Sequence, residues 1–273
     1  MILAMRRHWP EYFMEACSLA FFMFVAALGT TLLWHVDSPL HPHVSGAPIL
    51  QRLLMGLIMG TTFISIVYSP VGRRSGAHIN PAVTLTFLRL GKISPWDALF
   101  YVISQFAGAM WGISAAWFLL GDWLHAPTVN YAVTVPGPAG YAIALVAETA
   151  ISFGVMSIVL WSTNLSHLHK YTGIFVGIAI TTYITVESPL SGSSMNPART
   201  FGSAVPAQVF TGIWIYFLAP VVGMYLAAEL YLWKYGADAV HCAKLYHSHD
   251  VRCIFKCGYA LNKMKLNDTH KTE

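Results

Sequence analysis

Ser75-Gly76-Ala77-His78-Ile79-Asn80-Pro81-Ala82-Val83-Thr84 and Ser191-Gly192-Ser193-Ser194-Met195-Asn196-Pro197-Ala198-Arg199-Thr200 state one pattern twice: a Ser-Gly turn, then an Asn-Pro-Ala triplet. Asn is a favoured helix N-cap and Pro a favoured first helical residue, so each triplet predicts the start of a helix. Neither follows an ordinary soluble loop, because both lie within strongly apolar sequence. A broken-helix signal at matching positions of two halves points to a permeation or binding site at the bilayer midplane.

The surrounding composition demands a bilayer. Of 273 residues, 56% are hydrophobic and 10% charged, and the mean hydropathy of +0.55 exceeds what the core of a water-soluble domain requires. The net charge of +4 lies mostly in short segments between and after the apolar runs, where membrane orientation accounts for it and no nucleic-acid partner is implied. The pattern predicts an all-α membrane protein.

Six runs are long enough to span hydrocarbon: 12–34, 49–69, 96–120, 141–161, 171–187 and 211–234. Two shorter runs, 80–88 and 196–206, open on Asn-Pro and predict re-entrant half-helices. Arg6, Arg7, Arg73, Arg74, Arg89, Lys92, Lys170 and a Lys-rich tail mark one side, while the connections 37–48 and 121–140 carry no Lys or Arg. The positive-inside rule then places both termini and the first re-entrant loop in the cytoplasm and the second loop outside, as a multi-pass protein of the plasma or inner membrane. Trp9, Trp34, Trp96, Trp123, Trp161 and Trp233 fall near span ends, where amphipathic rings prefer the interface. The first run is longer than a signal-peptide core, contains Glu15 and lacks a small-residue cleavage site, so it reads as a retained span.

After a short N-terminal segment, 1–10, the apolar region 11–235 divides into a first repeat, 11–120, and a second, 141–234, each with three spans and one half-helix. An odd number of spans per repeat forces inverted topology. Glu15 and Glu148 are the lone carboxylates of spans one and four, and a Glu in hydrocarbon needs partners. The freed backbone of a re-entrant loop supplies them; a proton relay is the other reading of the pair.

Over about residues 10–235 the chain resembles the aquaporin family, the major intrinsic proteins. The resemblance rests on both triplets, the Arg after the second, the span Glu pair, Phe201-Gly202-Ser203-Ala204-Val205, and the 116 positions between Asn80 and Asn196. It implies six transmembrane helices with two re-entrant half-helices in an inverted repeat. It also implies a passive pore for water and small uncharged solutes within each subunit of a homotetramer, with no catalytic residues and no cofactor.

Two half-helices meeting at their N-termini bring both positive dipole ends and the amides of Asn80 and Asn196 to the pore centre, where a cation meets a barrier. Pro81 and Pro197 start the helices, and Ala82 and Ala198 are small enough for the ends to touch. The carbonyls of Gly76, Ala77 and His78, and of Gly192, Ser193 and Ser194, lack helical partners and are expected to line the path. His78 could instead be a metal ligand or gate. The family spacing assigns the constriction to Gly60, Ile184, Ser193 and Arg199, with no bulky aromatic in span two and no His in span five. That departure from strict water channels implies a wider, less polar opening, akin to plant-type intrinsic proteins that admit small hydroxy compounds. Thr200 after the Arg, and Tyr216 with Phe217, differ from typical glycerol channels. Gly60 also forms a small-xxx-small pair with Gly56, which reads as helix packing. Arg199 could alternatively pair with Glu187.

The remainder, 236–273, is a cytoplasmic tail carrying Cys242, His247, His249, Cys253 and Cys257. These residues permit a zinc or soft-metal site, the other reading being reduced, unliganded thiols. A coupled secondary transporter is the rival to the passive pore; it shares broken helices in inverted repeats but needs intramembrane ionisable groups for coupling.

Overall fold

A computed structural model describes residues 1–248 and 250–259, and among them the regular structure is entirely helical. Helices α1 (Ile2–Trp34), α2 (Pro48–Tyr68), α4 (Pro95–Leu120), α5 (Tyr141–Thr163), α6 (Thr172–Val186) and α8 (Ile213–Tyr235) form the bundle. The half-helices are α3 (Pro81–Arg89) and α7 (Pro197–Ala207).

Five of these helices are long and apolar enough to cross a membrane. The sixth, α6, has 15 residues, about 22 Å at 1.5 Å per residue. A 3-10 turn at His169–Tyr171 precedes it and a helical turn at Ser188–Ser191 follows. The segment 1–10, expected to precede the first span, is nearly all helix: α1 begins at Ile2 and carries Pro10 without breaking. Proline and polar caps set other starts. Pro48 and Pro95 open α2 and α4, and the Ser94 hydroxyl accepts from the Asp97 N–H at 3.2 Å.

The repeat is visible in the packing. The principal helix pairs are α1 with α4, α5 with α8, and α2 with α6 across the repeat boundary. Each half-helix leans on a span of the other repeat, α3 on α8 and α7 on α4. Outward faces expose Phe13, Phe21, Trp111, Phe118, Trp214 and Leu218, the surface that lipid tails require. One end of the bundle, carrying Arg73, Arg74, Arg89 and Lys92, is called the basic end below; the other is the far end.

Candidate functional site: a cavity between paired half-helices

Each loop before a half-helix is bent by matching left-handed residues: Gly76, Ala77 and Ile79 in the first, Gly192, Ser193 and Met195 in the second. A β-branched residue such as Ile79, at φ 41°, adopts that region only under constraint. Two buried carboxylates supply the constraint. Glu15 accepts from the Ser75 hydroxyl at 2.8 Å, the His78 N–H at 3.1 Å, the Ile79 N–H at 2.7 Å and the Gln105 amide at 3.0 Å. Glu148 accepts from the Ser191 hydroxyl at 2.8 Å, the Ser194 N–H at 2.6 Å and the Met195 N–H at 2.8 Å. Both Glu residues are fully buried, and every acceptor bond goes to a donor of the loop or its neighbour. Two tyrosines that the sequence did not single out as struts complete the cradle. Tyr101 donates to the Ser75 carbonyl and Tyr216 to the Ser191 carbonyl, each at 2.6 Å.

The loops then deliver the two asparagines to one point. Asn80 Oδ1 accepts from the Ala82 N–H at 2.9 Å, and Asn196 Oδ1 from the Ala198 and Arg199 N–H groups at 3.0 and 3.2 Å. Those bonds cap α3 and α7, whose first residues are Pro81 and Pro197. The amide nitrogens reach across: Asn80 Nδ2 donates to the Met195 carbonyl at 2.7 Å and Asn196 Nδ2 to the Ile79 carbonyl at 2.8 Å. An NH2 group carries two hydrogens, so each amide keeps one for the cavity that both residues line. Ala82 and Ala198, fully buried, leave room for this approach.

That cavity, of about 450 Å³, runs from Trp34 and Thr128 at the far end, past Asn80 and Asn196, to His78 and Leu245 at the basic end. One side is polar: His78, Ile79, Gly192, Ser193, Ser194 and Met195 of the two loops. The other is apolar, with Met55, Met59 and Phe63 of α2 facing Val176, Ile180 and Ile184 of α6. Arg199 lines the cavity with its Nη1 buried and without a hydrogen-bond partner. The alternative partner Glu187 makes no ion pair with it; Glu187 accepts instead from the Ser193 hydroxyl at 2.5 Å.

Several expected positions fall elsewhere. Gly60 does not line the cavity: a Cβ there would stand 2.5 Å from the Gly177 carbonyl oxygen of α6, so its lack of a side chain serves the α2–α6 contact. The helical period explains the shift, since Met59, one residue earlier, occupies the lumen face together with Met55 and Phe63. Gly76 and Ala77 are absent from the lining as well. The Gly76 carbonyl accepts from the Leu245 N–H at 3.1 Å, so a chain segment beyond the last span covers it. Ile184, Ser193, Ser194, Gly192 and His78 do line the cavity. His78 Nε2 donates to the Ala243 carbonyl at 2.8 Å, its Nδ1 lies 3.0 Å from Thr84 Oγ1, and its ring stacks between Phe87 and Phe255.

Arg52, inside an apolar run, carries no motif in the sequence that marks it as a pore residue. It lines the far end of the cavity, and its Nε donates to the Thr185 carbonyl at 2.9 Å. Leu245, in the segment beyond the last span, reaches the lumen. Cys242, His247, Cys253 and Cys257 converge at the basic end, and His249 lies outside the described residues.

An all-helical membrane protein with an inverted repeat, two opposed half-helices and a cavity passing between them is thereby defined. The chain belongs to the major intrinsic protein family: residues 4–231 match the profile described as Major intrinsic protein. It is similar to aquaporin NIP2-3 of Zea mays, 37% identical over 189 residues, which cover 68% of this chain and 60% of that protein. Against aquaporin AqpM of Methanothermobacter thermautotrophicus it is 34% identical over 226 residues, 78% of this chain and 91% of the relative. The X-ray structure of the aquaglyceroporin from Plasmodium falciparum shares the fold, with TM-score 0.69 and 21% identity over 82% of this chain and 95% of that one. The chain spans about 60% of the length of the plant relatives it matches.

Proposed function

We propose that this protein is a passive pore conducting water and small uncharged hydroxylated solutes while rejecting ions and protons. The observation that carries this reading is the cavity itself. It runs past two Asn amides at the opposed N-termini of α3 and α7, it is lined by Arg52 and Arg199, and no Asp or Glu lines it among the described residues. Positive dipole ends and fixed guanidinium groups oppose cations, including a proton carried on water, while neutral oxygens find donors at Arg199 and acceptors in loop carbonyls. The apolar wall of Met59, Val176 and Ile184 suits the carbon skeleton of a small polyol or the bulk of a metalloid hydroxy acid.

The basic end faces the cytoplasm in this reading, with both termini, because Lys and Arg concentrate there. Homotetramers follow from the family resemblance. Stopped-flow swelling of proteoliposomes with water, glycerol, urea, boric acid and arsenous acid tests the proposal. Solute flux should stop at equal concentrations whatever the sodium or pH gradient. Uphill accumulation driven by either gradient would replace the pore with a coupled transporter.

A further inference from the structure

The described residues of 240–259 form no helix of more than one turn, yet several are packed like a core. Val240, Cys242, Ala243, Leu245 and Phe255 are buried, and so is Lys244, whose Nζ donates to the Arg73 and Arg252 carbonyls at 2.8 and 2.7 Å. Backbone and side-chain bonds tie the segment to three neighbours. The His241 N–H reaches Asn164 Oδ1 at 2.7 Å, the Leu245 N–H reaches the Gly76 carbonyl, and the Lys256 N–H reaches the Lys92 carbonyl at 2.9 Å. The Tyr259 hydroxyl donates to the Thr163 carbonyl at 2.8 Å. The segment is therefore a strap laid across the basic end.

At the strap's centre, the sulfurs of Cys242, Cys253 and Cys257 and a ring nitrogen of His247 all lie within 4.8 Å of one another. Cys242 Sγ is 3.6 Å from Cys253 Sγ, and Cys257 Sγ is 3.2 Å from His247 Nε2. Four ligands around zinc, at about 2.3 Å for sulfur and 2.0 Å for nitrogen, stand about 3.5–3.8 Å apart along the edges of a tetrahedron. The observed separations approach those edges. They are much longer than a disulfide bond, and all four cysteines of the chain are free thiols. The spacing Cys-x4-His-x5-Cys-x3-Cys brings the ligands together only because the strap doubles back, which is why no finger pattern is visible in the sequence. Three thiolates and one divalent cation leave a net negative charge, and Lys244, Arg73, Lys92 and Arg252 lie in or beside the strap to balance it. The His247 ring is held against Tyr259 with centroids 4.5 Å apart, a fixed orientation that suits a ligand.

We propose that Cys242, His247, Cys253 and Cys257 form a tetrahedral zinc site that pins the strap across the pore's inner mouth, with Leu245 set into the lumen between two ligands. Zinc occupancy then governs how far the mouth opens. The metal site stands independently of the proposed function, whereas its effect on flow rests on that reading.

The test uses the full-length protein, purified in detergent with reductant and no chelator, and measures zinc by elemental analysis. One zinc per chain is expected. Cobalt added to the apoprotein should give the intense visible bands and thiolate charge transfer of a tetrahedral site. Cys242→Ser/Cys257→Ser should lose both signals while keeping the circular dichroism and gel-filtration profile of the wild type. His247→Cys should retain the metal that His247→Ala releases. Substoichiometric zinc after incubation with the metal, or a full equivalent kept by the double variant, would overturn the site. In proteoliposomes, removing zinc from the wild type should raise water permeability several-fold and leave the double variant unchanged. Stoichiometric zinc with permeability indifferent to its removal would overturn the control of flow. Absence of any flux both with zinc bound and after its removal, in protein that binds it stoichiometrically, would sink the pore reading and leave the metal site standing.

Discussion

His78 and Ala243 stand 165 positions apart and meet at 2.8 Å, imidazole Nε2 to carbonyl oxygen. The second repeat places Ser194 at the matching position, where a short hydroxyl bonds Thr200 Oγ1 at 2.5 Å and the Asn196 carbonyl at 3.0 Å, both within its own loop and half-helix. The His78 ring thus gives the first pore loop a side-chain bond to the strap, beside the Leu245 N–H to Gly76 carbonyl bond, that the Ser194 hydroxyl does not give the second.

His78→Ser should copy the second repeat, keeping a bond to Thr84 while losing Ala243. Limited proteolysis within 240–259 should then run several-fold faster, with water permeability per folded protein equal to or above that of the wild type. A strap as protected as before would show that the other bonds suffice without His78.

Gly60→Phe should lower water and solute flux together, in proportion to folded protein, because the new side chain collides with the Gly177 carbonyl and Thr181. The ratio of solute to water permeability should stay constant for this variant. Ile184→His, which alters a lining side chain, should shift that ratio towards water. A changed ratio in Gly60→Phe alone would return Gly60 to the constriction.

Glu148→Gln should destabilise the fold, because Glu148 holds the Ser194 and Met195 N–H groups of the second loop. A hydrogen bond to a charged group contributes about 1.5–3 kcal/mol, and an amide NH2 facing a backbone N–H both loses an acceptor and adds a clash of donors, about 3 kcal/mol in all. Thermal unfolding in detergent should show a lowered Tm, and Glu15→Gln, with its equivalent loop bonds, should match it. A variant as stable as the wild type would mean that the loops hold their left-handed residues unaided.

Arg199→Val should admit charge. The wild type is expected to pass water with no proton current, and the variant should acidify dye-loaded vesicles under a pH gradient at a measurably greater rate. Proton leak that already accompanies water in the wild type would refute the barrier built from dipole ends and guanidinium groups.

The half-helices, their caps and the Glu struts were legible because each is encoded locally: Asn-Pro at a helix start, and a lone carboxylate in an apolar run. Gly60 was harder. Family spacing assigned it to the lumen, while the small-xxx-small reading assigned it to packing, and only the rotation of α2 against α6 separates Gly60 from Met59. Arg52 was hidden by hydropathy averaging, which treats one Arg within a long span as noise. The strap was illegible for a different reason. Its order comes from bonds to Gly76, Lys92 and Asn164, contacts that no periodicity in residues 240–259 announces.

The reciprocal amide bonds, Asn80 to Met195 and Asn196 to Ile79, bear on how the chain is made. When the ribosome has inserted only the first repeat, the Ile79 carbonyl and the Asn80 NH2 have no partners inside a medium that offers no water, a cost of several kcal/mol per group in hydrocarbon. Relief comes only when residue 196 emerges. Nascent chains arrested before that point should hold the first half-helix loosely. A repeat that looks like a module in space is therefore not one in time.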